Sequence, residues 1–234
     1  MYLSVIIPTF NEAENLKKLL PFLIKNTPKM NFEIIVSDGG STDDSIAVAK
    51  SFGVTAIHSP KKGRAAQMNY GVVFSKGDVL QFIHADTLPP KDFYKEVETA
   101  MSEKYPCGCF TYLFDSSSIR LKINAYFTKF NLLWCRGGDQ AIFITKKVFE
   151  EFKGYREDFL IMEEYDLLKK IQPKYPFKIV RNNALVSARK YEENSYWRVQ
   201  LANLTVFNMY RLGYSQAAMV RIYGQLLRKN RLPF

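Results

Sequence analysis

Four short segments of this chain put carboxylates where chemistry could use them. Phe82-Ile83-His84-Ala85-Asp86-Thr87 is an apolar run ending in one carboxylate, which suits a hard metal ion and equally suits the opening of a turn. Ser37-Asp38-Gly39-Gly40-Ser41-Thr42-Asp43 ends another run with two glycines, which permit positive φ and close approach of backbone to a ligand. There Asp38 is placed to accept hydrogen bonds from a base or ribose, whereas Asp43 and Asp44 fit the negatively charged first turn of a helix. In Val5-Ile6-Ile7-Pro8-Thr9-Phe10-Asn11-Glu12, Pro8 removes a backbone donor, and Asn11 and Glu12 stand where the free donors of a following helix open toward a ligand. Asn11 also reads as a plain helix cap.

The fourth segment is Met162-Glu163-Glu164-Tyr165-Asp166-Leu167-Leu168. A helix over 162–171 puts Glu164 on a face with Leu167, Leu168 and Ile171, and leaves Glu163 beside Asp166 and Lys170 on the polar flank. A carboxylate at the head of an apolar stripe is costly to desolvate unless it is paired or used, and partial burial lifts its pKa toward that of a working base. Matching of the helix dipole by both glutamates is the competing reading. Two further segments are polar in a suggestive way. In Gly63-Arg64-Ala65-Ala66-Gln67-Met68-Asn69, residues Arg64, Gln67, Met68 and Gly71 share a helix face where a cation suits a planar base or a phosphate, or is simply solvated. In Gly137-Gly138-Asp139-Gln140, the glycines with Asp139 and Gln140 suit a sugar or acceptor contact and equally suit a turn.

The elements that must position these residues follow from hydrophobic pattern. Leu3 to Phe10, Phe32 to Ser37, Val54 to His58 and Val79 to His84 are apolar runs without clean alternation, as expected of strands covered on both faces. Asn11 to Asn26, Thr42 to Phe52 and Arg64 to Ser75 are long enough for helices between them. Strand–helix alternation is the α/β signature, and right-handed crossovers place all the strand-to-helix loops on one edge of the sheet, where ligands of open α/β sheets bind. No G-x-G-x-x-G follows the first strand, which disfavours a dinucleotide fold. The second half predicts strands at Cys109 to Phe114, Gln140 to Ile144 and Phe177 to Val180, and helices at Ile119 to Trp134, Lys147 to Phe152 and Met162 to Ile171. Two helices split at Gly213-Tyr214-Ser215 follow from Tyr196 onward.

With 33 Lys+Arg against 23 Asp+Glu, the net charge of +10 favours anionic partners, but no run of five like charges and no aromatic–basic repeat marks a nucleic-acid module. Three cysteines, an odd number, with no leader pattern predict a cytoplasmic protein. Cys107 and Cys109 read as small buried hydrophobes rather than half a metal site. The longest uncharged apolar stretch, Val199 to Tyr210, is too short to span a bilayer, so the chain is expected to be soluble, or peripheral at the inner face of the membrane.

In their order along the chain, the four carboxylate segments resemble the family 2 glycosyltransferases of the GT-A fold. Gly-Asp139-Gln140, the later Glu pair and Ser187-Ala188-Arg189 are similar to a small, single-domain, bacterial-type subgroup, and the resemblance spans Met1 to about Tyr191. It implies one domain over 1–234 with a mostly parallel central sheet flanked by helices: a nucleotide-binding half at 1–90, an acceptor half at 91–191, and a C-terminal helical segment at 192–234. It further implies an inverting transfer of a sugar from a nucleoside-diphosphate sugar, with UDP or GDP as the nucleotide, to a hydroxyl of a saccharide, lipid or small molecule. Pro8, Thr9, Asn11, Glu12, Asp38, Gly39, Arg64, Gln67, His84, Ala85, Asp139, Gln140 and Arg189 would contact the donor, with Arg189 helping to neutralise the leaving diphosphate. Asp86 stands in the family's D-x-D motif and would hold Mn²⁺ or Mg²⁺, with His84 replacing the first carboxylate. Glu164 stands for the usual Asp base and is one methylene longer. These two departures sustain a competing expectation, a non-catalytic nucleotide-binding or membrane-associated scaffold on the same fold. The final helices, with Arg211, Arg221, Arg228, Lys229 and Arg231 among apolar residues, are expected to pack on the domain, form a homodimer or lie on a membrane surface.

Overall fold

The structure, a computed structural model, describes residues 1–227; Arg228, Lys229 and Arg231 lie outside the described residues. Four parallel strands open the chain: β1 (Leu3–Thr9), β2 (Phe32–Asp38), β3 (Thr55–His58) and β4 (Val79–Phe82), in the order β3-β2-β1-β4. Helices α1 (Ala13–Lys25), α2 (Ser45–Ser51) and α3 (Arg64–Val73) make the crossovers. Every residue of β1 is buried because both faces of the sheet are covered. Leu3, Val5 and Ile7 pack with Leu16, Leu19, Leu20 and Leu23 of α1, whereas Ile6 turns to Ala65, Met68 and Val72 of α3. This two-sided burial explains why the strand reads as a continuous apolar run. Helix α3 lies close on β1, since a Cβ at Gly71 would fall 2.6 Å from Ile6 Cγ2.

The second half adds β5 (Thr87–Leu88), α4 (Phe93–Ser102), β6 (Cys107–Phe114), α5 (Ile119–Tyr126), β7 (Phe143–Thr145) and α6 (Lys146–Glu151). After them come α7 (Glu163–Ile171), β8 (Phe177–Val186), α8 (Arg189–Glu193), α9 (Tyr196–Arg211) and α10 (Gln216–Leu226). The sheet continues β4-β7-β6-β8-β5 and is mixed, with β7 antiparallel to both neighbours and β5 antiparallel to β8. Four expectations need correcting. The helix expected over Ile119 to Trp134 stops at Tyr126 and gives way to two 3₁₀ turns, because Phe130 and Leu132 are extended and the guanidinium of buried Arg136 collects the carbonyls of Thr128, Phe130 and Leu132. The last strand runs to Val186 rather than Val180, since β5 and β6 both pair with its far end. The strand expected from Gln140 begins only at Phe143, because Gly138–Gln140 form a 3₁₀ turn and Ala141 is left-handed (φ 46°). Helix α4, absent from the sequence reading, covers the sheet through Phe93, Val97 and Ala100.

Helices α9 and α10 pack on one another and on the loop before α7, through Val206, Met219 and Ile161 and through Val199, Ala202 and Leu227. Among the described residues no helix is long and apolar enough to cross a membrane.

Candidate active site

The ends of β1 and β2 meet in one laced pair of loops. Asn11 takes a left-handed conformation (φ 56°), so its backbone N–H donates to Ser41 Oγ at 2.8 Å while its side-chain oxygen accepts from Thr42 N–H at 2.8 Å. Its side chain therefore bridges to the next loop and does not cap α1, whose N-cap is Glu12 without a side-chain cap bond. Asp43 accepts from the N–H groups of Ala13 and Ser45, both at 3.0 Å, and so serves the first turns of α1 and α2 together. Burial works against that carboxylate, but the bonds from Ser45 and Ala13 hold it below its ordinary range. Fully buried Asp38 accepts from the N–H groups of Gly40 and Ser41 at 2.9 and 3.0 Å and shapes the loop from within. Gln67 reaches across from α3 and donates to the carbonyls of Thr9 at 2.6 Å and Ser37 at 3.0 Å. Gly39 leaves the room, since a Cβ there would sit 2.9 Å from the Gln67 amide carbon.

Opposite these loops, the turn after β4 and the head of α7 gather the ionisable groups. Thr87 N–H donates to the carbonyl of His84 at 3.0 Å, and the turn so closed presents His84 and Asp86 at the sheet edge. His84 Nδ1 lies 3.2 Å from Asp139 Oδ1, and its Nε2 lies 3.7 Å from Glu164 Oε1. Ligand atoms of His84, Asp86 and Asp139 all fall within 4.8 Å of one another. Met162 enters α7 in the left-handed region (φ 68°), and both following glutamates turn inward. Glu163, expected on the polar flank, is instead fully buried. Arg64 supplies the reason: its Nε lies 2.9 Å from Glu163 Oε1, and its Nη2 donates to Oε2 at 3.4 Å. Gly138 closes the site from below, where a Cβ would meet Glu164 Oε1 and His84 Cε1 at 2.3 Å each.

The electrostatics follow from this crowding. Burial opposes the His84 imidazolium, but the carboxylates of Asp139 and Glu164 at its two ring nitrogens prevail and push it up to about 10. Burial likewise opposes the Glu164 carboxylate, yet Arg64 and His84 together hold it below its ordinary value, the reverse of the rise expected from burial alone, so it is ionised at neutral pH. Glu163 is pushed up to about 7 by burial against the pull of Arg64. Asp86 is raised by burial and by Asp139, with His84 and Arg189 pulling the other way. Glu12 is raised by burial, with the Asn15 amide and Arg189 opposing that rise and Asp86 adding to it.

The structure thus brings Asn11, Glu12, Arg64, His84, Asp86, Asp139, Glu164 and Arg189 to one edge. Pro8, Thr9, Asp38, Gly39, Gln67, Ala85 and Gln140 lie buried behind them, with Gln140 donating to the carbonyl of Phe110 at 3.3 Å. Lys190 is engaged with Asn203 and Tyr223, whereas its neighbour Arg189 is exposed. Sequence reasoning placed Glu163 on the polar flank while leaving open which glutamate is the base, and it left Gly138 between a sugar contact and a plain turn. An isolated cation at the start of α3 was the one signal that Glu163 needed a partner.

Strand order, helical layers and the position of this edge are those of the GT-A glycosyltransferase fold. The structure of Staphylococcus aureus TarS 1–349 with UDP-GlcNAc superposes with TM-score 0.67 over 97% of this chain and 72% of that one, at 15% identity. The mannosyltransferase PcManGT of Pyrobaculum calidifontis with GDP-Man and Mn²⁺ gives TM-score 0.67 over 96% and 69%, at 16% identity. The profile of Glycosyl transferase family 2 matches residues 4–160, and the chain belongs to that family. Glycosyltransferase AglE of Haloferax volcanii is 32% identical over 108 residues, which are 43% of this chain and 36% of that protein. The chain therefore matches only about a third of the length of such a relative.

Proposed function

We propose that this protein is an inverting glycosyltransferase that moves a sugar from a nucleoside-diphosphate sugar, UDP- or GDP-linked, to an acceptor hydroxyl. The observation that carries this reading is Glu164: a carboxylate 4% exposed, held ionised, with one oxygen lacking any hydrogen-bond partner, at the edge where the strand loops converge. Such a group has little structural reason to be there and is placed to accept a proton. The acceptor oxygen attacks the anomeric carbon while Glu164 takes its proton. The bond from that carbon to the diphosphate oxygen breaks with its electron pair on the diphosphate, and a single displacement inverts the anomeric centre. His84 lies beside the Glu164 carboxylate, and the nearby charges of Arg64 and His84 hold it ionised.

Asp86 and Asp139 fit a divalent cation, since two hard carboxylate oxygens converge there, with His84 beside them fixed by Asp139 and Glu164. When bound, Mn²⁺ or Mg²⁺ at these residues would neutralise charge on the diphosphate. Arg189 adds a mobile positive charge for the leaving group, and the loops at Asn11 and Asp38 seat the nucleoside. The UDP-GlcNAc bound by TarS and the GDP-Man bound by PcManGT support both donor classes equally.

Calorimetric titration with UDP and with GDP, each with and without Mn²⁺, tests this reading. One nucleotide should bind in a Mn²⁺-dependent manner, and Asp86→Ala should weaken that binding at least about tenfold, the loss of one charged ligand. Absence of binding by either nucleotide would instead favour a non-catalytic scaffold.

A further inference from the structure

A large apolar face lies beside the site and belongs to neither core nor catalysis. Helix α5 buries Leu121 and Ala125 against the domain and turns Ile119, Ile123 and Tyr126 outward, with Ile119 72% exposed, and the 3₁₀ turn after it exposes Phe127. The loop after it adds Phe130 and Trp134, both exposed. Helix α9 contributes a second outward stripe, Trp197, Leu201 and Leu204, at i, i+4 and i+7. The two stripes are continuous, because the Arg120 guanidinium lies 5.9 Å over the Trp197 ring and Asn124 bonds the hydroxyl of Tyr191 just before α9.

Three features give this face a character. Its charge is mostly of one sign: residues 116–138 hold Arg120, Lys122, Lys129 and Arg136 and no Asp or Glu, α9 carries Arg198 and Arg211, and the acidic pair Glu192 and Glu193 lies exposed on α8 beside Tyr191. Its loop is fixed, since the buried Arg136 guanidinium binds three carbonyls of residues 128–132 and lies 2.9 Å from Cys109 Sγ. And it adjoins the site: Trp134 accepts a hydrogen bond from the hydroxyl of Tyr165, next to Glu164, while Gly137 to Asp139 follow Arg136 directly. Aromatic and aliphatic side chains interleaved with an excess of cations, on a rigid support, match the headgroup region of an anionic bilayer. A protein partner would need a complementary acidic surface around an apolar centre, whereas an anionic bilayer offers both at once.

The geometry points to a membrane-docking surface formed by α5, the 127–135 loop and α9, which seats the protein on anionic lipid with the acceptor side of its site against the bilayer. The surface stands apart from the reaction proposed above, and its test needs no turnover. The full chain is sedimented with phosphatidylcholine vesicles containing about one third phosphatidylglycerol, and with pure phosphatidylcholine vesicles, at low and at about 0.5 M salt. Binding should favour the anionic vesicles at least about tenfold and fall with salt, because each basic residue near such a surface contributes. The double variant Ile123→Ser/Trp197→Ser should lose at least about tenfold of that binding, and Lys122→Glu/Lys129→Glu a similar factor, with unchanged thermal midpoints since all four side chains are exposed. Equal binding to both vesicle types, or no binding, would overturn the proposal. So would self-association, seen by light scattering, that the Ile123→Ser/Trp197→Ser variant abolishes in the absence of lipid, for then a second copy covers the face.

Discussion

At one end of the candidate site, where β1 and β2 stop, Asn11, Ser41, Asp43 and Ser45 bond one another and the first turns of two helices. At the other, where α7 begins, His84 Nε2, Glu163 Oε1 and Glu164 Oε1 are buried without a hydrogen-bond partner. Both regions are polar, and both sit on the same sheet edge. In the first the carboxylates answer backbone donors, and the unpaired buried atom Ser37 Oγ is uncharged. The second is held together by net charge rather than by aligned bonds, a state that costs stability and that sites of chemistry retain. Polar residues alone do not mark a reactive site; charged residues left unsatisfied inside the protein do.

Substitutions should separate the two regions by kind of effect. The largest is expected at the α7 end. Arg64→Met leaves Glu163 and Glu164 buried without their counter-charge and should cost about 3–5 kcal/mol of stability at about pH 8, measured by urea unfolding. A loss under about 1 kcal/mol would mean that the pair is solvated and the contrast false. Next is Asp43→Ala at the β1–β2 end, which removes the shared cap of α1 and α2 and should cost about 1–2 kcal/mol, with the activity of the remaining folded protein little changed. The smallest effect, but the sharpest, concerns pH. Glu163 is raised from its ordinary value of 4.5 to about 7, so the folded protein holds its proton more tightly than the unfolded chain does. Its contribution to stability therefore declines as pH rises from about 4.5 through about 7 and is level above that. Glu163→Gln should flatten this part of the profile of thermal midpoint against pH, and an unaltered slope would show that Glu163 is already ionised beside Arg64.

Much of the first half was legible because its burial is two-sided and its loops are short. The runs at Leu3, Phe32 and Val79 can only be parallel strands, and the carboxylates at their ends then fall on one edge. The second half was less so. The helix expected through Trp134 is cut short by Arg136, a residue six positions beyond Phe130 whose guanidinium prefers loop carbonyls to solvent, and no periodicity reports that choice. Glu163 misled for a related reason: helical spacing assigns it to the face of Asp166 and Lys170, but the first turn of α7 lies against α3, where both flanks are covered. Local pattern reads a helix's face correctly along its middle and fails at an end that is buried all round. Of the residues gathered at the edge, His84, Asp86, Asp139 and Glu164 were named from motif and resemblance, while the Gly138 floor beneath them required coordinates.

The central claim is that Glu164 takes the acceptor proton. The direct measurement compares wild type and Glu164→Gln in two readouts: calorimetric affinity for the nucleotide that the wild type binds, and turnover of the corresponding nucleotide sugar followed by release of nucleoside diphosphate. Glutamine keeps the shape and cannot accept the proton, so nucleotide affinity should stay within about twofold while turnover falls by about 10²–10⁴. Turnover within about threefold of wild type, at equal affinity, would contradict the account and remove Glu164 from the reaction.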